Sequence, residues 1–264
     1  MACHSTAGSA DPMEMKYRHS TYAIDRSHED EARYGIGVAR CRLTSLDDVA
    51  QADAWCRANQ IALLIARCST SRLEVAQQLQ QSGHVLMDTL LYYAFDLAKK
   101  AVPAETDKAT IRFASPDDAA HIEAVARGSF EGYFGHYHAD SRLDREQADE
   151  TYISWAVNSV ASCTPADGPH PVLVAEQDGA IAGFATLREN SADEGEGVLF
   201  GVSPAWQGFG IYRSFMLHFM NWCQSRGMTR AVVSTQITNL PVQKVWVRLR
   251  FEPSESYYTF HKWF

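Results

Sequence analysis

The stretch Gly201-Val-Ser-Pro-Ala-Trp-Gln-Gly-Phe-Gly-Ile-Tyr212 joins an apolar strand segment to an amphipathic helical segment through a turn that contains two glycines. Gly208 and Gly210 allow the main chain to approach a ligand without an intervening Cβ atom. The backbone N–H groups at the start of the following helix point outward, and the helix dipole adds partial positive charge there. The stretch therefore predicts either a tight strand-to-helix turn or a cradle for a pyrophosphate group.

A second motif lies about thirty residues downstream of this turn, where Asn239 is followed by Val242, Trp246 and Phe251 at offsets of three, seven and twelve. Together with Gln207-x-x-Gly210, this order resembles the GNAT superfamily of acetyl-CoA-dependent N-acetyltransferases. In that family the turn reads Q/R-x-x-G-x-G/A, and the later helix carries N-x-x-A-x-x-x-Y-x-x-x-G-F. The resemblance covers residues 111–264.

The resemblance implies that acetyl-CoA is the cosubstrate and that its pyrophosphate lies on the glycine turn. It also implies that the strand ending at Val202 splays from its neighbour, so that the Val202 N–H can bind the thioester carbonyl and stabilise an oxyanion. The predicted acetyl-CoA contacts are Val202, Gln207, Gly208, Phe209, Gly210, Ile211, Tyr212, Asn239 and Trp246. Asn239 is also expected to cap the helix that begins at Leu240 through its side-chain oxygen.

Three positions depart from the family pattern. Tyr212 replaces the small residue that ends the turn, Trp246 stands where a tyrosine is common, and Arg250 replaces the glycine before Phe251. Because an indole N–H is a donor but a very weak acid, residue 246 cannot protonate the departing thiolate. The phenols of Tyr212, Tyr257 and Tyr258 are the alternatives, and Tyr258 is included in the predicted catalytic set.

The candidate bases are Glu196, His136 and His138. Glu196 precedes Val202 by six residues, and it is either a base acting through water or, as we favour, a solvated carboxylate in the acidic loop 193–196. His136 and His138 are expected to face the same side of an extended segment. They would take the proton of an amine at neutral pH or bind a sugar hydroxyl or phosphate, or else pack on the sheet.

Composition restricts the class of protein. The chain has 264 residues, 46% of them hydrophobic, and 24 Lys+Arg against 32 Asp+Glu give a net charge of −8. This predicts a globular protein with a sizeable core and no nucleic-acid partner. The sequence contains no apolar run long enough to span a membrane and no secretory signal pattern, so we expect a cytoplasmic protein. The six cysteines are scattered without zinc-ligand spacing, which predicts reduced thiols and no metal site.

The pattern of strands and helices predicts an α/β fold with a mixed sheet. Residues 1–15 are expected to be a flexible leader, 16–104 a smaller N-terminal α/β domain and 105–264 a C-terminal GNAT-like domain. The predicted elements alternate between strands and helices: strands 41–44, 61–68, 85–97, 111–114, 172–176, 180–187, 197–202, 231–235 and 257–263, and helices 46–58, 73–81, 118–129, 146–159, one of about twenty residues that ends at 226, and one from 240. The aromatic tail 257–264 is a candidate for a homodimer contact or a substrate wall.

The chain as a whole is similar to the TDP-fucosamine acetyltransferase family, through Gly83–Tyr93, Tyr137-His-Ala-Asp140 and Tyr152-Ile-Ser-Trp155. The resemblance implies a small-molecule acceptor, a nucleotide-linked amino-deoxysugar of surface polysaccharide synthesis. Two alternatives remain, a GNAT enzyme for another small amine (an amino acid, polyamine or aminoglycoside) and a non-catalytic acyl-CoA sensor. A nucleotide sugar needs a local basic pocket, for which Arg142, Arg145 and Arg188 are the candidates.

Overall fold

The computed structural model describes residues 23–104 and 108–264. The predicted leader and Cys3 lie outside the described residues. The strands are β1 (Ala23–Arg26), β2 (Val38–Leu43), β3 (Leu63–Ser69), β4 (Val85–Asp96), β5 (Thr110–Phe113), β6 (Val172–Gln177), β7 (Ala180–Ser191), β8 (Glu194–Val202), β9 (Arg230–Gln236) and β10 (Glu252–Trp263). The α-helices are α1 (His28–Tyr34), α2 (Leu46–Ala58), α3 (Leu73–Gln81), α4 (Ala119–Ser129), α5 (His136–Ala139), α6 (Arg145–Ala161), α7 (Ile211–Ser225) and α8 (Leu240–Arg248).

All ten strands belong to one mixed sheet in the order β1-β2-β3-β10-β4-β9-β8-β7-β6-β5. Strands β2 and β3 are parallel, as are β8 and β9, and each parallel pair is linked by a helix. The remaining neighbours are antiparallel. The predicted α/β class with a mixed sheet is therefore confirmed.

The centre of the sheet combines strands from both ends of the chain. Strand β10 lies between β3 and β4, and β4 lies between β10 and β9. Each predicted unit thus inserts its last strand between strands of the other, and the sheet runs continuously across the predicted boundary at 104/105. Hydrogen bonds across this exchange bind the two units together, and the division into two domains remains a prediction.

The hydrophobic core is divided by the sheet, because successive residues of a strand point to opposite faces. In β6, Leu173 belongs to the cluster around α7, whereas Val174 belongs to the cluster around α4 and α6. In the first half of the chain, α2 and α3 pack on β2, β3 and β10, with Phe260 of β10 buried in that cluster. Of the described helices, none is long and apolar enough to cross a membrane.

Some local predictions differ from the structure. Strand β8 begins at Glu194, so that the expected acidic loop is strand, and β10 begins at Glu252, five residues before the predicted start. Strand β1 and helix α1 lie in a region where no element was predicted. The cysteines of the described residues are free, as expected, and all but the half-buried Cys163 are buried.

Candidate active site

The central feature of the candidate site is a gap between two parallel strands. Strands β8 and β9 pair from Glu194↔Arg230 to Gly197↔Val233, and the pairing ends there although both strands continue. The last residues of β8 remain paired with β7 on the other side, up to Gly183↔Val202. The predicted splay beside Val202 is therefore present.

The Val202 N–H points into this gap. Ser203 N–H donates to the Ala182 carbonyl at 2.9 Å, which makes Gly183↔Val202 a pair without mutual hydrogen bonds. In an antiparallel ladder the N–H and C=O of such a residue point away from the partner strand. The Gln207 side chain donates to the Val202 carbonyl at 3.1 Å on that side. The Val202 N–H is therefore oriented to bind a carbonyl oxygen between the strands.

The glycine turn follows directly. After a single 3₁₀ turn at Pro204–Trp206, Gly208 and Gly210 have φ of +83° and +89°, in the left-handed region that favours glycine. Gly210 is the N-cap of α7, which begins at Ile211, and the first turn of the helix has no side-chain cap and no acidic residue. Phe209 is 62% exposed between the two glycines. The turn thus presents backbone N–H groups at a helix start, the arrangement that binds phosphates.

A cation lies beside this turn. A Cβ atom built on Gly210 would approach the Cγ of Lys108 to 3.2 Å, so the Lys108 stem lies over the glycine. At Gly208 the same construction meets no atom within 4 Å among the described residues. The turn is thus open at one glycine and covered by a lysine at the other.

The two aromatic departures from the family pattern contact each other. Trp246 is 2% exposed, and its Nε1–H donates to the Tyr212 hydroxyl at 3.0 Å. The Trp246 ring also packs on Tyr93, with centroids 5.3 Å apart. Burial raises the pKa of Tyr212 well above its usual value, so this phenol is a poor acid. Both side chains support the floor beneath the turn.

Asn239 occupies the N-cap position of α8, but its side chain makes no cap hydrogen bond. Its Nδ2 donates instead to the Thr235 hydroxyl at 3.0 Å. The predicted side-chain cap is therefore wrong. Because Thr235 lines the adjacent cavity, Asn239 fixes part of the cavity wall.

A cavity of about 110 Å³ opens at the gap, with room for several ordered waters or a small polar group. At one end the cavity is lined by residues of β8 and β9 beyond the last paired residues. At the other end it is lined by residues of the N-terminal unit. Its lining residues are Glu29, Arg33, Arg40, Arg67, Leu90, Tyr133, His136, Tyr137, Thr151, Tyr152, Ser154, Trp155, Asn158, Val198, Leu199, Ser234, Thr235 and Gln236.

Three arginines of the N-terminal unit reach this cavity. Arg33 of α1 donates to the Ser154 hydroxyl at 2.7 Å, and Arg40 of β2 donates to the Asp30 carboxylate at 2.8 Å. Arg67 of β3 donates to the Thr259 hydroxyl at 3.4 Å. Burial alone would raise the pKa of Asp30, but the charge and hydrogen bond of Arg40 hold it below its ordinary value. The arginines of the cavity are therefore positioned by specific polar contacts.

The sequence prediction chose other arginines. Arg188 is buried in an ion pair with Glu196, and the Arg142 guanidinium stacks on the Trp263 ring at 4.6 Å from its centroid. Neither these residues nor Arg145 is among the residues that line the cavity. Arg40 and Arg67 carry a sequence signal that they share with Arg42, because these arginines stand in buried strands at positions opposite to the helix-facing core.

The two candidate histidines diverge. Residues 136–139 form a single helical turn rather than an extended segment, so positions two apart point in nearly opposite directions. His136 lines the cavity, whereas His138 accepts from the Gly135 N–H at 3.2 Å and contacts the Asp149 carboxylate at 2.9 Å. The prediction that both face the same side is wrong, and His138 connects α5 to α6.

His136 begins a buried chain of hydrogen bonds that the sequence analysis missed. Its Nδ1 lies 2.9 Å from Nε2 of His261, and Nδ1 of His261 lies 2.8 Å from the Asp140 carboxylate. Trp263 donates to the same carboxylate oxygen at 2.9 Å. Burial would raise the pKa of Asp140, but the hydrogen bonds from His261 and Trp263 hold it below its usual value.

Glu196 is neither solvated nor in a loop. It is 2% exposed, and its Oε2 accepts from Arg188 and from Asn190, each at 2.9 Å. It is not among the cavity-lining residues. The favoured interpretation of Glu196 as a solvated carboxylate is wrong, since β8 begins two residues earlier and carries this side chain into the protein.

Tyr258 lies away from the cavity. Together with Phe260 it packs on the cluster formed by α2 and α3, whereas Thr259 and His261 point to the opposite face of β10. Neighbouring residues of a strand alternate between faces. The structure therefore does not bring Tyr258 together with His136 and the gap.

Comparisons with known proteins agree with this arrangement. Residues 130–251 match the sequence model described as "Acetyltransferase (GNAT) family". The spore coat polysaccharide biosynthesis protein SpsD of Bacillus subtilis is 25% identical over 179 residues, which are 65% of this chain and 58% of that protein. The chain therefore spans less than two thirds of the length of this curated relative.

Three solved structures share the fold across nearly the whole chain. A GCN5-related N-acetyltransferase from Sphaerobacter thermophilus is 15% identical, with a TM-score of 0.61 over 92% of this chain and 76% of that one. A functionally unknown conserved protein from Staphylococcus epidermidis is 12% identical, with a TM-score of 0.63 over 92% of this chain and 91% of that one. A tandem GNAT protein from the clavulanic acid biosynthesis pathway is 14% identical, with a TM-score of 0.57 over 98% and 90%.

At these identities the structures show the fold alone, while the sequence match identifies the domain that contains the gap and the glycine turn. Residues 130–251, which contain the gap and the glycine turn, therefore form a domain that matches the acetyltransferase (GNAT) family.

Proposed function

We propose that this chain transfers the acetyl group of acetyl-CoA to the amine of a nucleotide-linked amino-deoxysugar used in surface polysaccharide synthesis. The observation that carries the proposal is the cavity beside the splayed strands, into which the N-terminal unit places Arg33, Arg40 and Arg67. Guanidinium groups bind phosphates in a bidentate manner and keep their charge at every physiological pH.

The residues of the glycine turn fit acetyl-CoA as the acetyl donor. Gly208 and Gly210 have a backbone conformation that favours glycine, and the helix start has no side-chain cap of its own. In the proposal these N–H groups and Lys108 hold the pyrophosphate. Bound acetyl-CoA supplies a thioester carbonyl, and the Val202 N–H stabilises the negative charge that develops on its oxygen.

The charge of the cavity favours an anionic acceptor. Three arginines and Glu29 line the cavity, and Asp30 pairs with Arg40 behind it, so this group carries one net positive charge in a chain whose net charge is −8. The aromatic side chains of Tyr133, Tyr152 and Trp155 on the same wall offer surfaces on which a sugar or base can pack. The similarity to a protein named for polysaccharide biosynthesis also supports a sugar acceptor.

Cationic acceptors such as polyamines and aminoglycosides fit less well. Their ammonium groups would have to approach the same arginines, and like charges in a partly buried cavity repel each other. An amino acid would offer one carboxylate to three guanidinium groups. The arginine cavity therefore ranks these acceptors behind a nucleotide sugar.

The test is a thiol-release assay with acetyl-CoA and a graded panel of acceptors. The panel contains TDP-linked 3-amino and 4-amino sugars, the same sugars as 1-phosphates and as free sugars, and amino acids, polyamines and aminoglycosides. We expect turnover to fall from the nucleotide sugars to the sugar phosphates and then to the free sugars. Turnover confined to the cationic acceptors would overturn the sugar acceptor. Acetyl-CoA binding without turnover on any amine would favour a sensor.

A pair of matched variants tests the arginine contribution. Arg67→Gln removes a guanidinium from the cavity, and Arg42→Gln removes one from β2 that binds the Tyr257 hydroxyl and does not line the cavity. We expect Arg67→Gln to raise KM for the nucleotide sugar about tenfold, with the acetyl-CoA affinity unchanged, because one charge-assisted contact to phosphate is worth about 1.5 kcal/mol. Arg42→Gln serves as the control for the general effect of losing an arginine from this sheet.

A further inference from the structure

We propose that His136 accepts, at Nε2, the proton that the acceptor amine releases, and that His261 and Asp140 position His136 for this step. The inference rests on the proposed acetyl transfer. It assigns the base of that reaction to His136, which is hydrogen-bonded in series to groups distant from it in the sequence. His136 lies on α5, Asp140 directly follows α5, and His261 lies on β10.

The chain is continuous and buried. The distances are 2.9 Å from His136 Nδ1 to His261 Nε2, and 2.8 Å from His261 Nδ1 to the Asp140 carboxylate. The exposed fractions are 6% for His136, 1% for His261 and 4% for Asp140. Trp263 holds the far end by donating to the same Asp140 oxygen. Of the four groups, His136 is the one that reaches the cavity.

The carboxylate of Asp140 at one end of the chain leads to one assignment of the ring protons. An ionised Asp140 can only accept, so Nδ1 of His261 carries a proton, and the proposal assigns a lone pair to Nε2 of the same ring. That lone pair accepts from His136, which therefore carries its proton on Nδ1. In a neutral imidazole the second nitrogen is then unprotonated. The only hydrogen bond of His136 to the described part of the chain uses Nδ1, so the Nε2 lone pair is available to a ligand in the cavity.

The surroundings keep His136 neutral. The titratable and charged groups around it come from several elements: Arg40 of β2, Arg67 of β3, Tyr133 just before α5, Tyr137 and His138 of α5, Tyr152 of α6 and His261 of β10. Burial, and then the guanidinium charges of Arg67 and Arg40, lower the pKa of His136 well below its ordinary value. The imidazole is thus in its proton-accepting form at neutral pH.

The step is balanced in protons and bonds. As the amine nitrogen forms its bond to the acetyl carbon and the carbon–sulfur bond breaks, the amine proton moves to His136 Nε2. The imidazolium is stabilised through its Nδ1–H, His261 and the carboxylate of Asp140. The proton then passes from Nε2 to the departing thiolate, so that the amide and the free thiol leave and His136 returns to its starting form. Neither His138, engaged with Asp149, nor the ion-paired Glu196 lines the cavity.

The first experiment needs no acceptor. Long-range ¹H–¹⁵N spectra of protein labelled at histidine report which ring nitrogen carries the proton. In the free protein at pH 7 we expect both His136 and His261 to be protonated at Nδ1 alone. Asp140→Asn removes the obligate acceptor, so mixed tautomers should appear at both rings. A proton on Nε2 of His136 in the wild type overturns the inference, whatever the protein acetylates.

The second experiment measures turnover of acetyl-CoA with a TDP-linked 4-amino-4,6-dideoxysugar. We expect His136→Gln to lower kcat about 10²- to 10³-fold, the range for loss of a general base, with acetyl-CoA affinity unchanged. Asp140→Asn should lower kcat about tenfold to a hundredfold. His138→Gln, two residues away and outside the cavity, is the control and should stay within about threefold once its thermal unfolding shows that it is folded.

The outcomes of the two experiments are separable. A His136→Gln enzyme that keeps its kcat overturns the inference while leaving the proposed function intact. A wild-type protein that acetylates no sugar in the panel contradicts the proposed function, and the tautomer spectrum then decides by itself whether the proton-accepting chain exists.

Discussion

Two strand–helix–strand segments of this chain have the same topology, but their parallel strands end differently. In β2–α2–β3 and in β8–α7–β9, a strand is followed by a helix and by a second strand parallel to the first. The first pair is closed along its length, from Val38↔Leu63 to Leu43↔Cys68. The second pair opens after Gly197↔Val233. Of these two pairs, the second therefore leaves a gap between its strands, where the thioester is proposed to lie.

The first turns of the helices α2 and α7 also differ: that of α2 is closed by side chains, and that of α7 is open. The first turn of α2 is closed by a reciprocal cap between Ser45 and Asp48, and Asp47 adds a second carboxylate. The first turn of α7 follows Gly210 with no cap and no acidic residue. Carboxylates at a helix start occupy the position that a phosphate would take, and they repel it. The strand–helix–strand topology alone thus does not create an anion-binding site. The residues in the first turn of the helix determine whether an anion can bind there.

Replacement of Gly210 at the open helix start should have the largest effect. Gly210→Glu places a side chain at φ +89°, against Lys108, and adds a negative charge where the pyrophosphate is proposed to lie. Backbone strain of about 1–3 kcal/mol together with charge repulsion should weaken acetyl-CoA binding about a hundredfold or more, measured by calorimetry. Gly35→Glu is the control, because Gly35 has a similar φ of +67° with no described atom near its Cβ position. Equal loss of affinity in both variants would contradict the assignment of the turn.

His84 is a buried histidine of the N-terminal unit, which contains the closed pair of strands β2 and β3. Burial, then the charge of Lys262, lowers the pKa of His84 to about 4. An unfolded histidine with a pKa near 6.5 binds a proton more readily, so acidification through pH 6.5 favours the unfolded state. Between pH 7 and pH 5, His84 should remove about 2 kcal/mol from the free energy of unfolding.

Urea unfolding at both pH values tests this. His84→Gln should reduce the loss of stability on acidification by about that 2 kcal/mol, whereas His28→Gln, whose side chain is 85% exposed, should leave the loss unchanged. An unchanged loss in His84→Gln would show that His84 is already protonated or solvated in the folded protein.

Local patterns predicted the glycine turn and most of the order of elements, whereas the splayed strands were expected from the resemblance to the GNAT superfamily. Gly208 and Gly210 mark the turn directly, and strand and helix periodicities are short-range signals. The exchange of β4 and β10 between the two units has no such signal. Strand partners distant in sequence are fixed by the packing of the whole sheet, which a local pattern does not contain.

The acceptor side was predicted less well for the same reason. His136 was named, but its partners His261 and Asp140 are separated by 121 residues in the chain. Arg40 and Arg67 lie in the N-terminal unit, in which the sequence analysis placed no candidate for the basic pocket. Their cavity is assembled by the exchange of strands, so the function of these residues depends on contacts that follow only from the assembled sheet.

A third prediction tests whether the closed helix start can be opened. The Asp48 carboxylate accepts from the Thr44 N–H at 2.7 Å and from the Ser45 N–H and hydroxyl at 3.0 and 2.7 Å. Asp48→Ala should therefore lower the free energy of unfolding by about 1–2 kcal/mol, and the exposed Asp47→Ala by less than about 0.5. Because β2 and β3 stay paired, titration calorimetry of Asp48→Ala should still give one acetyl-CoA per chain. A second bound equivalent would show that carboxylates alone separate the two segments.

The smallest effect is expected beneath the open helix start. Trp246→Tyr restores the residue that is common in the family, but position 246 is 2% exposed and its side chain contacts Tyr212 and Tyr93. A phenol there would stay buried, so we expect an acetyl-CoA affinity within about threefold of wild type, no gain in kcat and a loss of stability of about 1 kcal/mol. The measurement is calorimetry beside turnover. A tenfold rise in kcat would contradict this prediction. It would mean that the side chain at position 246 reaches the leaving thiolate, and that the wild-type site lacks an acid which the new phenol supplies.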